Sequence, residues 1–91
     1  MRNLLWLAPK KNFIVKNINL EIGDFIRKTR LKNGLTGAQL GKLVGVSQQQ
    51  ISRYERGSNG LSLPDLIFIL SIMNASFSDF VSYSSYLKWE K

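Results

Sequence analysis

The chain has 91 residues, no cysteine, no histidine, and thirteen Lys and Arg against six Asp and Glu, for a formal net charge of +7. That length makes one domain with a modest core. The missing residue types exclude disulfides, Cys/His zinc sites and any mechanism that needs a thiol or an imidazole, and they fit a reducing cytoplasm. Residues 1–32 carry net +6, residues 33–61 net +2 and residues 62–91 net −1. Such asymmetry suits a polyanionic partner, although simple solubility accounts for many basic chains. No stretch is long enough to cross a bilayer, and the apolar run Leu4 to Ala8 is too short for a signal-peptide core.

Residues 1–17 show no clear helical period. Pro9 interrupts them, Lys10, Lys11 and Lys16 make them basic, and Phe13-Ile14-Val15 is β-prone, so a basic arm or short strand is expected. From Asn19 the pattern changes. Ile22, Phe25, Ile26 and Thr29 recur at helical spacing, and Asn33-Gly34 gives the stop. Thr36 followed by Gln39 has the form of a capping box for a second helix, whose expected apolar face is Leu40, Leu43 and Val44. Gly45 ends it. Ser47 and Gln50 open a third helix by the same logic, with Ile51 and Tyr54 inward and Gly57 at its end. A turn that short forces the two helices to cross. Ser62-Leu-Pro-Asp65 starts a fourth helix, apolar on nearly all sides through Leu63, Leu66, Ile67, Ile69, Leu70 and Met73, and therefore expected at the centre. Asn74 suits its stop. Ser76 to Asp79 caps a fifth, with Phe77, Phe80 and Val81 expected to be buried.

The third helix carries three adjacent glutamines. With Ile51 inward and 100° per residue, Tyr54 and Glu55 fall within about 60° of it, while Gln49 and Arg53 lie almost opposite, beside Ser52 and Arg56. Gln48 lies toward the flank. Glutamine can pair with the edge of adenine and arginine with that of guanine, so this face is suited to reading bases in a major groove. A solvated face of good helix formers would look the same. Glu55, on the inward side, needs a partner, and Arg30 on the first helix is the nearest plausible one.

The segments FIRKTRLKNGLTGAQLGKLVGVSQQQISRYERG and SLPDLIFILSIMNASFSDF resemble the phage-repressor and Cro-like helix-turn-helix family from Ile22 to Phe80, about two thirds of the chain. The resemblance rests on Leu40, Gly45, Val46, Ile51 and the closing Tyr-Glu-Arg-Gly. SQQQISRYERG is also similar to short regulators encoded with enterobacterial fimbrial operons. The resemblance implies an all-α, compact five-helix, lambda-repressor-like DNA-binding domain; with the flanks read from their composition, the chain divides into the basic arm 1–17, the domain 18–82 and an aromatic tail 83–91. The resemblance also implies base reading by Gln48, Gln49 and Arg53, phosphate contacts from Ser47, Ser52 and Arg56, and a structural pair Arg30–Glu55; Lys42 and Asn59 are further candidate phosphate contacts. Two departures stand out. Gly37 replaces a glutamine common in the family, and Gly41 replaces an alanine.

Double-stranded DNA is the partner so implied, bound by a homodimer on a two-fold site. Tyr83, Tyr86 and Trp89 are candidate dimer contacts, with an intramolecular tail as the alternative. No cofactor, small-molecule ligand, membrane or catalytic role is expected. The competing reading is a protein-interaction module such as an antitoxin, working through the apolar ends at residues 4–7 and 80–89.

Overall fold

Local capping chemistry divides the chain into helices. In the computed structural model, which describes residues 10–58 and 60–87, these are α1 (Lys11–Lys32), α2 (Gly37–Val44), α3 (Gln48–Arg56), α4 (Leu63–Ile72) and α5 (Phe77–Tyr83). At the start of α2, the Gln39 backbone N–H donates to Thr36 Oγ1 at 3.0 Å and the Thr36 N–H donates to Gln39 Oε1 at 2.8 Å, a complete capping box. Ser76 and Asp79 form the same box on α5. Ser47 accepts from the Gln50 N–H at 3.1 Å, but the Gln50 amide makes no return bond, so only half of the expected device forms on α3. Between α2 and α3 the chain turns in three residues, with Gly45 at φ +90°, a left-handed conformation suited to glycine.

The beginning of α1 differs from expectation. Residues 11–17 are helical, not an arm or strand, and α1 crosses the expected boundary at residue 17. The cause lies in the spacing. Ile14 and Ile18 precede Ile22 at four-residue steps, so the apolar stripe runs back past Asn19, and a three-residue β-prone stretch does not override it.

The core is Ile26, Leu40, Ile51, Leu66, Ile69, Leu70, Met73 and Phe80, one contiguous cluster drawn from all five helices and the turn after α4. α3 packs chiefly against α1 and α2. Three residues expected inside are outside: Leu43, Leu63 and Ile67 are exposed, while Phe77 and Val81 are half-buried. α4 buries the side bearing Leu66, Ile69 and Leu70, and a helix apolar all round must leave its other side bare when only one side meets the core.

Behind α5 the chain is tied back to α1 by carboxylates. The Tyr83 hydroxyl donates to Asp24, its ring lies 5.2 Å from that of Phe25, and Lys28 Nζ sits 5.3 Å from the Tyr83 ring centroid. Glu21 accepts from the buried Ser84 hydroxyl at 2.5 Å, from the Ser85 N–H at 2.9 Å and from the Ser85 hydroxyl. Tyr83, a candidate dimer contact by sequence, is therefore turned onto its own α1. Burial pushes the Glu21 carboxyl up, but the bonds from Ser84 and Ser85 outweigh it and hold the group below its ordinary 4.5. The bond from Tyr83 likewise holds Asp24 below its ordinary 3.8. A carboxyl depressed in the folded state contributes stability that is complete above its unfolded pKa and lost as pH falls through its folded one. The melting temperature is accordingly expected to drop on acidification from about pH 5 to about pH 3. In Glu21→Gln the drop should be shallower, starting from a lower neutral-pH value. Circular dichroism melts across that range check this, and parallel curves for the two proteins would remove Glu21 from the account.

Candidate nucleic-acid interface

The position of α3 is set from within. On its inner side Ile51 is 1% exposed in the core. Glu55 meets Arg30 in a two-pronged bond, Arg30 Nε donating to Oε2 at 2.6 Å and Nη2 to Oε1 at 2.9 Å. The remaining guanidinium nitrogen, Nη1, donates to the Leu35 carbonyl at 2.9 Å. One side chain thus joins α1, the α1–α2 connection and α3. The bond to Glu55 raises the Arg30 pKa above its ordinary value.

The outer side carries the residues singled out for bases. Gln48, Gln49 and Arg53 are all exposed on α3, while Tyr54 and Glu55 are half-buried on the inner side, as the helical wheel requires. Ser52 and Arg56 act as one unit, because Arg56 Nη1 donates to Ser52 Oγ at 2.6 Å. Ser47 is exposed at the helix N-terminus, its hydroxyl oxygen occupied by the cap. The N-terminus of α2 abuts that of α3: a Cβ on Gly37 would lie 3.6 Å from Gln48 Cγ. The sequence did not indicate this proximity. It follows from the crossing that the Gly45 turn imposes.

Lys42 is exposed but stands apart from these residues. It shares a shallow hollow with Leu35, Gln39 and Leu43 on the outer side of α2. Tyr86 is 40% exposed. Asn59, Trp89 and the apolar stretch Leu4 to Leu7 lie outside the described residues. Among the described residues no single helix is long and apolar enough to cross a membrane.

Two short helices crossing at a glycine turn, the second with a polar and basic outer face, define a class. A helix-turn-helix family model matches residues 26–80. The chain belongs to the Cro/C1-type helix-turn-helix family. It is 32% identical over 71 residues to an uncharacterized HTH-type transcriptional regulator of Rickettsia prowazekii (strain Madrid E), covering 78% of this chain and 55% of that protein. It is 35% identical over 63 residues to an uncharacterized HTH-type transcriptional regulator of Sinorhizobium medicae (strain WSM419), covering 69% and 45%. It is also 33% identical over 60 residues to the antitoxin PezA of Streptococcus pneumoniae serotype 4, covering 66% and 38%. The chain thus spans about half the length, or less, of these relatives.

Proposed function

We propose that this chain is a sequence-specific, double-stranded-DNA-binding transcription regulator that acts in the cytoplasm, with α3 lying in the major groove. What carries the reading is the two-sidedness of α3. Its inner side is locked by Ile51 and Glu55, and its outer side offers Gln48, Gln49 and Arg53 to bases with no side-chain hydrogen bond of their own among the described residues. Ser47, the Ser52–Arg56 unit and Asn59 are assigned to phosphates, and Lys42 adds positive potential from the flank. The basic residues Lys10, Lys11 and Lys16 extend that potential along α1.

Gln49→Ala tests the base-reading role. Truncating one bidentate contact is expected to cost about 1–3 kcal/mol on the preferred duplex, roughly a 5- to 150-fold loss, with little change on a scrambled duplex. Fluorescence anisotropy at two salt concentrations reads both, using DNA upstream of the chain's own gene and of neighbouring operons. Equal losses on the two duplexes would assign Gln49 to the backbone instead. One helix covers too few base pairs for useful specificity, so a pair of copies on a two-fold site is part of the proposal. The name of the PezA relative favours a second reading, an antitoxin-like protein-holding role. It requires partner binding that survives the loss of Gln49 and Arg53.

A further inference from the structure

We infer that the cleft between α1, the turn after α4, and α5 is a binding site for a small organic carboxylate with an aromatic or other apolar body. The cleft has a volume of about 590 Å³, within the range of small-molecule sites. Its walls have the pattern of such a site, an apolar floor under a polar rim. Met73, 3% exposed, and the half-buried Phe25, Ala75 and Tyr83 form the floor. The exposed Lys28 and Lys32, one helical turn apart on α1, stand at the rim.

The walls are fixed before any ligand arrives. Phe25 is backed by the core residue Phe80, with ring centroids 5.6 Å apart, and its ring lies 5.2 Å from that of Tyr83. Two aromatic side chains are therefore already in place to receive an apolar group. Asn33 Nδ2 donates to the Met73 carbonyl at 3.3 Å and joins the end of α1 to the end of α4. Asn74, left-handed at φ +58°, lies in the turn that bends the chain by 100° from α4 into α5, the far wall. The lining comes from three separate segments, which is why the sequence announces no ligand.

Charge selects the class of ligand. Two acids lie at the cleft, and both are engaged. Asp24 accepts from the Tyr83 hydroxyl and pairs with Lys28 at 3.1 Å, and Asp79 accepts from the Ser76 N–H at 2.8 Å in the α5 cap. Lys28 is thereby occupied as well. Lys32 has no ion pair among the described residues, so an anion entering the cleft meets one uncommitted ammonium group. An apolar floor beneath a single cation favours a carboxylate that carries a ring over a small hydrated anion, which gains nothing from Met73 or Phe25. At 100° per residue, Phe25, Lys28 and Lys32 fall about 140–160° round α1 from Arg30, which faces α3. A ligand in the cleft therefore leaves the face of Gln48, Gln49 and Arg53 open.

Amide proton–nitrogen correlation spectra of the full chain, recorded as indole-3-acetate is added to about 10 mM, test the site. The expected dissociation constant is on the order of 1 mM for a probe of this size, with shifts concentrated at Thr29, Asn33, Asn74 and Ala75. Indole-3-acetamide, the neutral counterpart, should bind about five-fold more weakly, and Lys32→Gln should weaken the acid by the same factor without affecting the amide. Arg27→Gln removes a charge from an exposed position of α1 outside the cleft and should change neither. Ala75→Met fills the cleft and should abolish binding of both. Circular dichroism confirms folding of each variant, and the acid–amide comparison and Lys32→Gln decide if Ala75→Met does not fold. Absence of shifts at the cleft by about 10 mM overturns the proposal. So does equal binding of acid and amide, an equal loss in Lys32→Gln and Arg27→Gln, or full binding by a folded Ala75→Met. No DNA enters the test, so its outcome is independent of the reading of α3.

Discussion

Glu55→Ala is expected to destabilise the domain by about 3–5 kcal/mol, because it leaves a guanidinium unpaired in a site that water barely reaches. The side chains of Arg30 and Glu55 are 12% and 9% exposed, so solvent cannot take over from the missing carboxylate. Arg30 is held in place regardless, since its third contact goes to the Leu35 carbonyl. Domains of this kind are stable by roughly 5–15 kcal/mol in total, so the loss approaches the whole. Glu55→Gln keeps an acceptor for one of the two bonds and should lose less. The double change Arg30→Met with Glu55→Leu removes both charges and should cost less than Glu55→Ala alone, provided the Leu35 carbonyl reaches water. Urea unfolding followed by circular dichroism ranks the three variants. A cost below about 1 kcal/mol for Glu55→Ala would class the pair with ordinary surface bridges.

That pair was legible in the sequence because a wheel centred on Ile51 brings Glu55 inward, and the inward register of α1 brings Arg30 to meet it. The caps were legible for a similar reason: Thr36 with Gln39 and Ser76 with Asp79 are three residues apart, and their chemistry is complete within one turn. The exposed face of Gln48, Gln49 and Arg53 follows from the same local geometry. What stayed hidden depends on distant contacts. Nothing near Tyr83 announces Asp24, and nothing near Ser84 announces Glu21, since these partners are about sixty residues apart in the chain. Hydropathy also cannot say which side of an apolar helix is buried. Leu63 and Ile67 are as apolar as Leu66 and Leu70, yet only the latter face the core. The opposite error occurred at Phe13 to Val15, where a short β-prone stretch masked a stripe that Ile14 and Ile18 carry into α1.

The glycine at position 23 carries the same lesson, since no local turn or cap calls for it within the 22 residues of α1. Its reason is on α3. A Cβ at this position would lie 2.4 Å from the Glu55 carbonyl oxygen and 2.5 Å from that of Tyr54. Both atoms belong to the backbone of the helix assigned to the groove, so a rotamer change cannot relieve the clash. Gly23→Ala therefore sets two effects against each other. Alanine in a helix interior gains about 1 kcal/mol of propensity over glycine. Forcing apart two packed helices typically costs 1–3 kcal/mol, and more where the obstacle is rigid backbone. Here the displacement also stretches the 2.6 Å Arg30–Glu55 bond, two helical turns along the same side of α1. We expect the clash to win, with a net loss of about 2 kcal/mol or more. On the proposed DNA reading, affinity should fall beyond what the unfolded fraction explains, because α3 is displaced relative to the flanking positive charge of Lys42 and α1. Urea midpoints give the first quantity, and anisotropy at a temperature where the variant is fully folded gives the second. If Gly23→Ala were as stable as wild type and bound the same duplex equally well, α1 and α3 would have room to spare. The close backbone approach would then have no part in aiming the helix.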